Sequence, residues 1–193
     1  LLGEFSDLDL TVKHVFTDNR NPDPGALFIP LVGERFDGHA FLNEALEGGA
    51  AGCFTQRERE SYLPGKFYIK VDSTQRALRD LAKYYKKKFP IPVVALTGSV
   101  GKTTTKDMVA AVLGEKYRVL KTEGNLNNEI GVPQMLFRLE DSHTAAVIEM
   151  GMNHFGEMRQ LTAIGRPDLV LITNIGSMHI ENLGSREGIL KAK

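Results

Sequence analysis

The pattern of apolar and polar positions changes character near residue 90. Before that point apolar residues come in short runs, "HVF" (14–16), "ALFIPL" (26–31), "AGCF" (51–54) and "FYIKV" (67–71), bounded by Gly, Pro, Asn and Asp. Such runs predict strands separated by turns. "AFLNEALEGG" sets Phe41, Leu42, Ala45 and Leu46 at helical spacing and stops at a glycine pair, where helices commonly end. A longer helix is predicted over "DSTQRALRDLAKYYKKKFPIP". Asp72 or Ser73 can cap its start, and Leu78, Leu81, Ala82, Tyr85 and Phe89 share one face. Pro90 and Pro92 cannot continue it. The run Lys86–Lys88 reads as a solvated helix end, where cations are favoured, rather than as a binding patch.

From residue 90 strands and helices alternate. "VVALTG", "YRVLKT", "TAAVIEMG" and "DLVLITNIG" predict strands, and "KTTTKDMVAAVLGE", "GVPQMLFRL" (Pro133 in its first turn) and "FGEMRQLTAIG" predict helices. Continuous apolar strands between helices imply a parallel sheet covered on both faces. "SREGILKAK" starts a further helix, so the chain is expected to stop inside a domain. The fold class expected is α/β. An N-terminal α/β domain (1–89) precedes the front of a mostly parallel-sheet domain (90–193).

Composition narrows the function classes. At roughly 100–200 residues per domain, 193 residues make one or two domains, and 42% apolar content marks a globular chain. Lys plus Arg and Asp plus Glu are both 24, so no basic face for nucleic acid is expected. The single cysteine, Cys53, allows no internal disulfide and suits a reducing cytoplasm. It reads as a small buried strand residue rather than a reactive thiol. No apolar run reaches the roughly 18 residues of a membrane span, and the opening Leu-Leu-Gly-Glu lacks the features of a signal peptide.

The chemistry concentrates in "TGSVGKTTTK". The common phosphate loop places four residues between its first Gly and its Gly-Lys-Ser/Thr end. Here Leu96 stands where that first Gly would fall, and the nearest glycine, Gly98, is only three positions before Gly101. The setting is nevertheless what an anion needs: an apolar strand, a glycine turn, then a helix N-terminus. Gly98, Ser99, Val100 and Gly101 would cradle phosphates, Lys102 would reach the terminal ones, and Thr103 or Thr104 would offer a hydroxyl to Mg²⁺. Glu149 ends a buried strand, where ligands collect in open α/β sheets. Asn125, Asn127 and Asn128 give a glycine-led loop three neutral donors, or form a plain polar turn.

The short spelling resembles the ATP loop of the Mur ligases and their folylpolyglutamate synthetase relatives. "EGNLNNEIGVP" (123–133), "VIEMGMNHFGEM" (147–158) and "ITNIGSMHIENLGSREGILKAK" (172–193) resemble the branch of that family that adds D-alanyl-D-alanine to a cell-wall precursor. "TDNRNPDPGALFIPLVGERFDGHAFLNEALEGGAAG" resembles the family's N-terminal uridine-diphosphate domain. The usual Asp-Ser-Arg or Asp-Thr-Arg is Asp18-Asn19-Arg20 here.

The resemblance implies ATP-dependent amide synthesis. A carboxylate is phosphorylated to an acyl phosphate, which an amine then attacks. The cofactors implied are ATP and Mg²⁺; the partners are UDP-N-acetylmuramoyl-tripeptide and D-alanyl-D-alanine, in a cytoplasmic monomer. Lys102, Glu149, His179 and Lys193 become the catalytic set, with Thr103, Glu149, His179 and Lys193 as metal ligands. Lys193, fourteen positions after His179, is where the family carries a CO₂-derived carbamate, and Lys191 competes for that role. Asn153 and His154 would line the same cleft. Asn19, Arg20, Asp37 and His39 become uridine-diphosphate candidates, although "ERFDGHAF" equally suits a turn capping the next helix. Three alternatives stand beside this reading. One is a family member with another acceptor. Another is a fragment that binds the UDP-sugar peptide without turnover. The third is a generic P-loop GTPase or kinase, disfavoured by the lack of an Asn-Lys-x-Asp signature.

Overall fold

A computed structural model describes residues 2, 9–20 and 23–193. Most of the opening stretch and residues 21–22 of the uridine-domain resemblance lie outside them. The chain divides into two compact units, Leu1–Leu78 and Arg79–Lys193. The division falls inside helix α2 (Thr74–Lys86), ahead of the 89/90 boundary expected from the prolines.

The first unit is built on a four-stranded parallel sheet in the order β1 (Val15–Phe16), β2 (Leu27–Phe28), β5 (Gly52–Thr55), β6 (Phe67–Lys70). A small hairpin, β3 (Val32–Gly33) with β4 (Phe36–Asp37), leads through a 3₁₀ turn at Gly38–Phe41 into α1 (Leu42–Glu47). The apolar face of α1, Leu42, Ala45 and Leu46, packs with Phe28, Cys53 and Tyr68 into one buried cluster. β5 is buried at every position, and a Cβ on Gly52 would lie 2.4 Å from its register partner Phe67. The four apolar runs form these strands, and the hairpin is additional to them. Its Glu34–Arg35 turn carries no Asn-Gly or Asp-Gly signal.

The second unit is a parallel sheet in the order β10 (Leu169–Ile172), β7 (Val93–Thr97), β9 (Ala145–Glu149), β8 (Val119–Lys121). Its helices are α3 (Lys102–Gly114), α4 (Gly131–Leu136), α5 (Glu157–Gly165), α6 (Ile180–Leu183) and α7 (Arg186–Ala192). β9 shows why its sequence is apolar throughout. Ala146 and Ile148 join the large core cluster with Met135, Leu136 and Leu161, while Val147 turns to the opposite face to meet Leu96 and Ala110. Successive side chains point to opposite faces, and helices cover both. Among the described residues nothing covers β10, and all four of its residues are exposed. The central position of β7 brings the loop that follows it between the ends of β9 and β10.

Candidate functional site

β7 ends at Thr97 and the chain turns through Gly98 (φ 152°) and Gly101 (φ 80°), both in backbone regions that favour glycine. Gly101 precedes α3 with no side chain capping it. The first-turn N–H groups of that helix are thus available to an anion. Lys102 lies against its own loop, its Nζ donating to the Gly98 carbonyl at 2.9 Å.

Beside the loop, Glu149 is 2% exposed. One carboxylate oxygen accepts from Thr103 Oγ1 at 3.0 Å and the other from Asn127 Nδ2 at 2.8 Å. Its own N–H donates to buried Thr122 Oγ1 at 2.9 Å. Among the described residues no cationic side chain pairs with Glu149. A buried charge with only neutral donors attracts a cation. Carboxylate and hydroxyl oxygens are the hard donors Mg²⁺ prefers, so Thr103 and Glu149 fit that ion. Among the described residues no three of His, Cys, Asp and Glu gather to hold a metal.

Lys193 reaches the same strand end, its Nζ donating to Thr97 Oγ1 at 3.4 Å. Burial, and then the cationic Lys102, hold its pKa below the ordinary lysine range. Lys191 is exposed. His179 heads α6 in a left-handed conformation (φ 64°), uncommon for a residue other than glycine.

The three asparagines separate. Asn127 holds Glu149. Asn128 Oδ1 accepts from the N–H groups of Ile130 (3.1 Å) and Gly131 (2.8 Å), shaping the entry to α4. Asn125 is exposed. Asn153 and His154 gather on Glu157 at the start of α5, through Asn153 N–H at 2.7 Å and His154 Nδ1 at 3.0 Å. Burial by itself would raise the Glu157 pKa, but these contacts outweigh it and bring it below the usual range.

In the first unit a cavity of about 530 Å³ is lined by Thr17, Asp18, Asn19, Arg20, Phe36 and Phe41. Phe36 and Phe41 stack with ring centroids 5.6 Å apart. Arg20 Nε donates to both Asp18 oxygens, at 2.9 and 3.0 Å, and holds that carboxyl at a pKa of about 2. Asn19 donates to Glu44 at 3.0 Å. Asp37 caps the 3₁₀ turn through His39 N–H and also accepts from His39 Nδ1 (2.7 Å) and Arg57 (2.8 Å). His39 Nε2 accepts the Gln56 N–H at 3.1 Å, so all four of these groups are engaged inside the unit. Sequence reasoning missed the Phe36–Phe41 stack, which two aromatics flanking "DGHA" would have suggested. It also missed Thr173 and Asn174, whose side chains contact the phosphate loop.

Comparison with known proteins matches residues 96–193 to the Mur ligase middle domain and residues 11–86 to the Mur ligase family catalytic domain. The UDP-N-acetylmuramoyl-tripeptide--D-alanyl-D-alanine ligase of Bacillus subtilis (strain 168) is 48% identical over 184 residues, 95% of this chain and 40% of the relative. A crystal structure of MurF from Acinetobacter baumannii superposes with a TM-score of 0.89 at 39% identity, over 94% of this chain and 40% of that one. The MurF ligase from Thermotoga maritima in complex with ADP gives a TM-score of 0.85 at 33% identity, over 97% of this chain and 43% of that one. The chain thus spans about two fifths of the length of the proteins it matches.

Proposed function

The chain belongs to the Mur ligase family, and from that premise we propose that its protein is an ATP-dependent amide ligase of peptidoglycan-precursor synthesis. It joins D-alanyl-D-alanine to UDP-N-acetylmuramoyl-tripeptide. The observation that carries the reading is the buried Glu149 carboxylate held by Asn127 and by Thr103, the residue that follows Lys102 at the end of the phosphate loop. A relative named for this reaction and a neighbour solved with ADP support it.

The chemistry asked of the site is the meeting of two anions, ATP and a substrate carboxylate. A carboxylate oxygen takes the γ-phosphoryl group and ADP departs. The amine of the dipeptide then attacks the acyl carbon, phosphate leaves, and the nitrogen loses a proton. In this chain the α3 N-terminus and Lys102 receive the phosphates; Lys102 exchanges its bond to the Gly98 carbonyl for one to a phosphate oxygen. Thr103 and Glu149 would hold Mg²⁺, which neutralises charge on the transferring group when bound. Asn127 fixes the Glu149 carboxylate and is assigned here to that task rather than to substrate.

Lys193 is proposed to carry a carbamate. The ammonium first loses a proton; the neutral amine then adds to CO₂, forming an N–C bond, opening one C=O π bond and releasing a second proton, so that a cation near Lys102 becomes an oxygen anion. With His179 it would complete a second metal position. The half-buried setting of Lys193 at the end of β7 supports this assignment over exposed Lys191. A ¹³C resonance of a lysine carbamate under ¹³CO₂, absent in Lys193→Ala and retained in Lys191→Ala, is the expected result; the reverse pattern moves the role to Lys191. In the first unit, the Phe36–Phe41 stack and Arg20 make the 530 Å³ cavity the proposed uridine-diphosphate site.

The deciding experiment is ADP release by the full-length protein with Mg²⁺, ATP and UDP-N-acetylmuramoyl-tripeptide, with and without D-alanyl-D-alanine. Release that requires the dipeptide and disappears in Lys102→Ala is the expected outcome. Release driven by a single amino acid or glutamate instead would place the protein in another branch of the family.

A further inference from the structure

The phosphate loop has two residues fewer between its glycines than the common form, Ser99 and Val100 alone separating Gly98 from Gly101. It therefore has fewer atoms of its own with which to fix its shape. The restraint comes from the neighbouring strand. Just beyond β10, Asn174 Oδ1 accepts from the N–H groups of Ser99 (3.2 Å) and Val100 (3.1 Å), and Asn174 Nδ2 donates to the Val100 carbonyl at 3.3 Å. Thr173 Oγ1 donates to the same carbonyl at 2.7 Å. Ser99 N–H also reaches the Asn174 carbonyl at 3.2 Å, and Ser99 Oγ accepts the Gly176 N–H at 2.9 Å. The segments lie so close that a Cβ on Gly98 would fall 1.9 Å from Thr173 Oγ1.

An amide with both ends bonded to the backbone of one loop dictates that loop's conformation. We infer that Asn174 is a positioning residue for nucleotide binding. It fixes the outer half of the phosphate loop, Gly98 to Val100, and leaves phosphate recognition to the N–H groups from Gly101 onward. Ser99 and Val100, which the motif alone would assign to phosphate, stay on Asn174 when nucleotide binds. The same residue ties the loop to the segment that leads to His179, so loop shape and the placement of His179 are linked. Asparagine suits the place because aspartate would lose the Nδ2 donor and set a negative charge beside phosphates, while alanine would lose every side-chain bond.

The inference rests on the loop being the ATP site, and its test separates the two claims. In the full-length protein, ADP affinity is measured by calorimetry for wild type, Asn174→Ala and Asn174→Asp. Asn174→Ala is expected to weaken ADP binding by about tenfold or more, the scale of losing two or three backbone-directed hydrogen bonds. Affinity for UDP, the ligand proposed for the first unit, should stay within about twofold, because the side-chain bonds of Asn174 lie within the second unit. Asn174→Asp should bind ADP more weakly than wild type as well, and it serves where the alanine variant does not fold. Hydrogen exchange at Ser99 and Val100 should accelerate in Asn174→Ala without nucleotide. An ADP-complex structure should keep Asn174 Oδ1 on those two N–H groups. Unchanged ADP affinity in both variants, or phosphate oxygens replacing Asn174 on those N–H groups, overturns the inference. Failure of wild type to bind ADP overturns the ATP-site reading itself.

Discussion

At the residue scale the informative group is Glu149, a buried carboxylate held, among the described residues, by a hydroxyl and an amide and by no cationic side chain. Replacing it tests what the charge is for. Glu149→Gln keeps the shape and removes an uncompensated buried charge, so folding stability should hold or rise slightly. Mg²⁺-dependent ADP release should fall by about a hundredfold or more, the scale of losing one electrostatic stabiliser of the transition state. A thermal melt that drops with activity unchanged would make Glu149 a structural residue. Asn127→Ala should raise the Mg²⁺ requirement and lower turnover by roughly 10–100-fold, as loss of a ligand-orienting partner does. Full activity at ordinary Mg²⁺ would return Asn127 to the substrate-facing role. Glu149 was legible because it closes an apolar run that had to be a buried strand. Which of Asn125, Asn127 and Asn128 meets it was not, because loop backbone angles decide where each amide reaches. Cys53 was legible for the same reason as Glu149: its run predicted burial, and burial pushes the thiol up to about 12. Its neutral form is favoured in the fold. That contribution is complete below the ordinary thiol value near 9 and is lost as pH rises through 9 toward 12. An aromatic disulfide reagent at pH 8 should leave native Cys53 unmodified and react fully in denaturant; prompt native labelling would contradict the buried placement.

At the scale of elements, the loop before α4 shows how packing sets the site. A Cβ on Gly131 would lie 2.4 Å from the Leu126 Cα, so helix and loop touch backbone to backbone. Gly131→Ala must push residues 123–130 away, at a cost of about 1–3 kcal/mol for overpacking. Because Asn127 rides on that loop, activity should fall even where the protein remains folded, and a circular-dichroism melt beside an ADP-release assay reads both. A variant with normal activity would mean that the loop relaxes without carrying Asn127 off Glu149. Long elements such as α2 and α3 were legible because periodicity accumulates over their 13 residues each. The two-residue strands β3 and β4 and the four-residue α6 were not. Elements so short carry no period, and the equally short β1 and β2 were legible only from the apolar runs that contain them.

At the scale of the whole molecule, the same apolar texture has two outcomes. β9 and β10 look alike in sequence, yet β9 is buried throughout and β10 is exposed throughout. Covalent order reveals a strand, while its neighbours decide whether anything covers it. Among the described residues β10 lies at the end of the sheet, pairing with β7, with Leu169 66% and Val170 61% exposed. An exposed apolar edge strand is a template for pairing with another chain. The balanced charge, 24 of each sign, gives little net repulsion against it. A polypeptide of these 193 residues alone, about two fifths of the length of the relatives it matches, is therefore expected to self-associate as concentration rises. Val170→Lys, a charge on the exposed strand that breaks no buried contact, should shift it toward monomer. Sedimentation velocity over a concentration series reads this directly. If wild type is monomeric throughout, the edge is protected in solution; if Val170→Lys associates as strongly, the contact lies elsewhere on the chain.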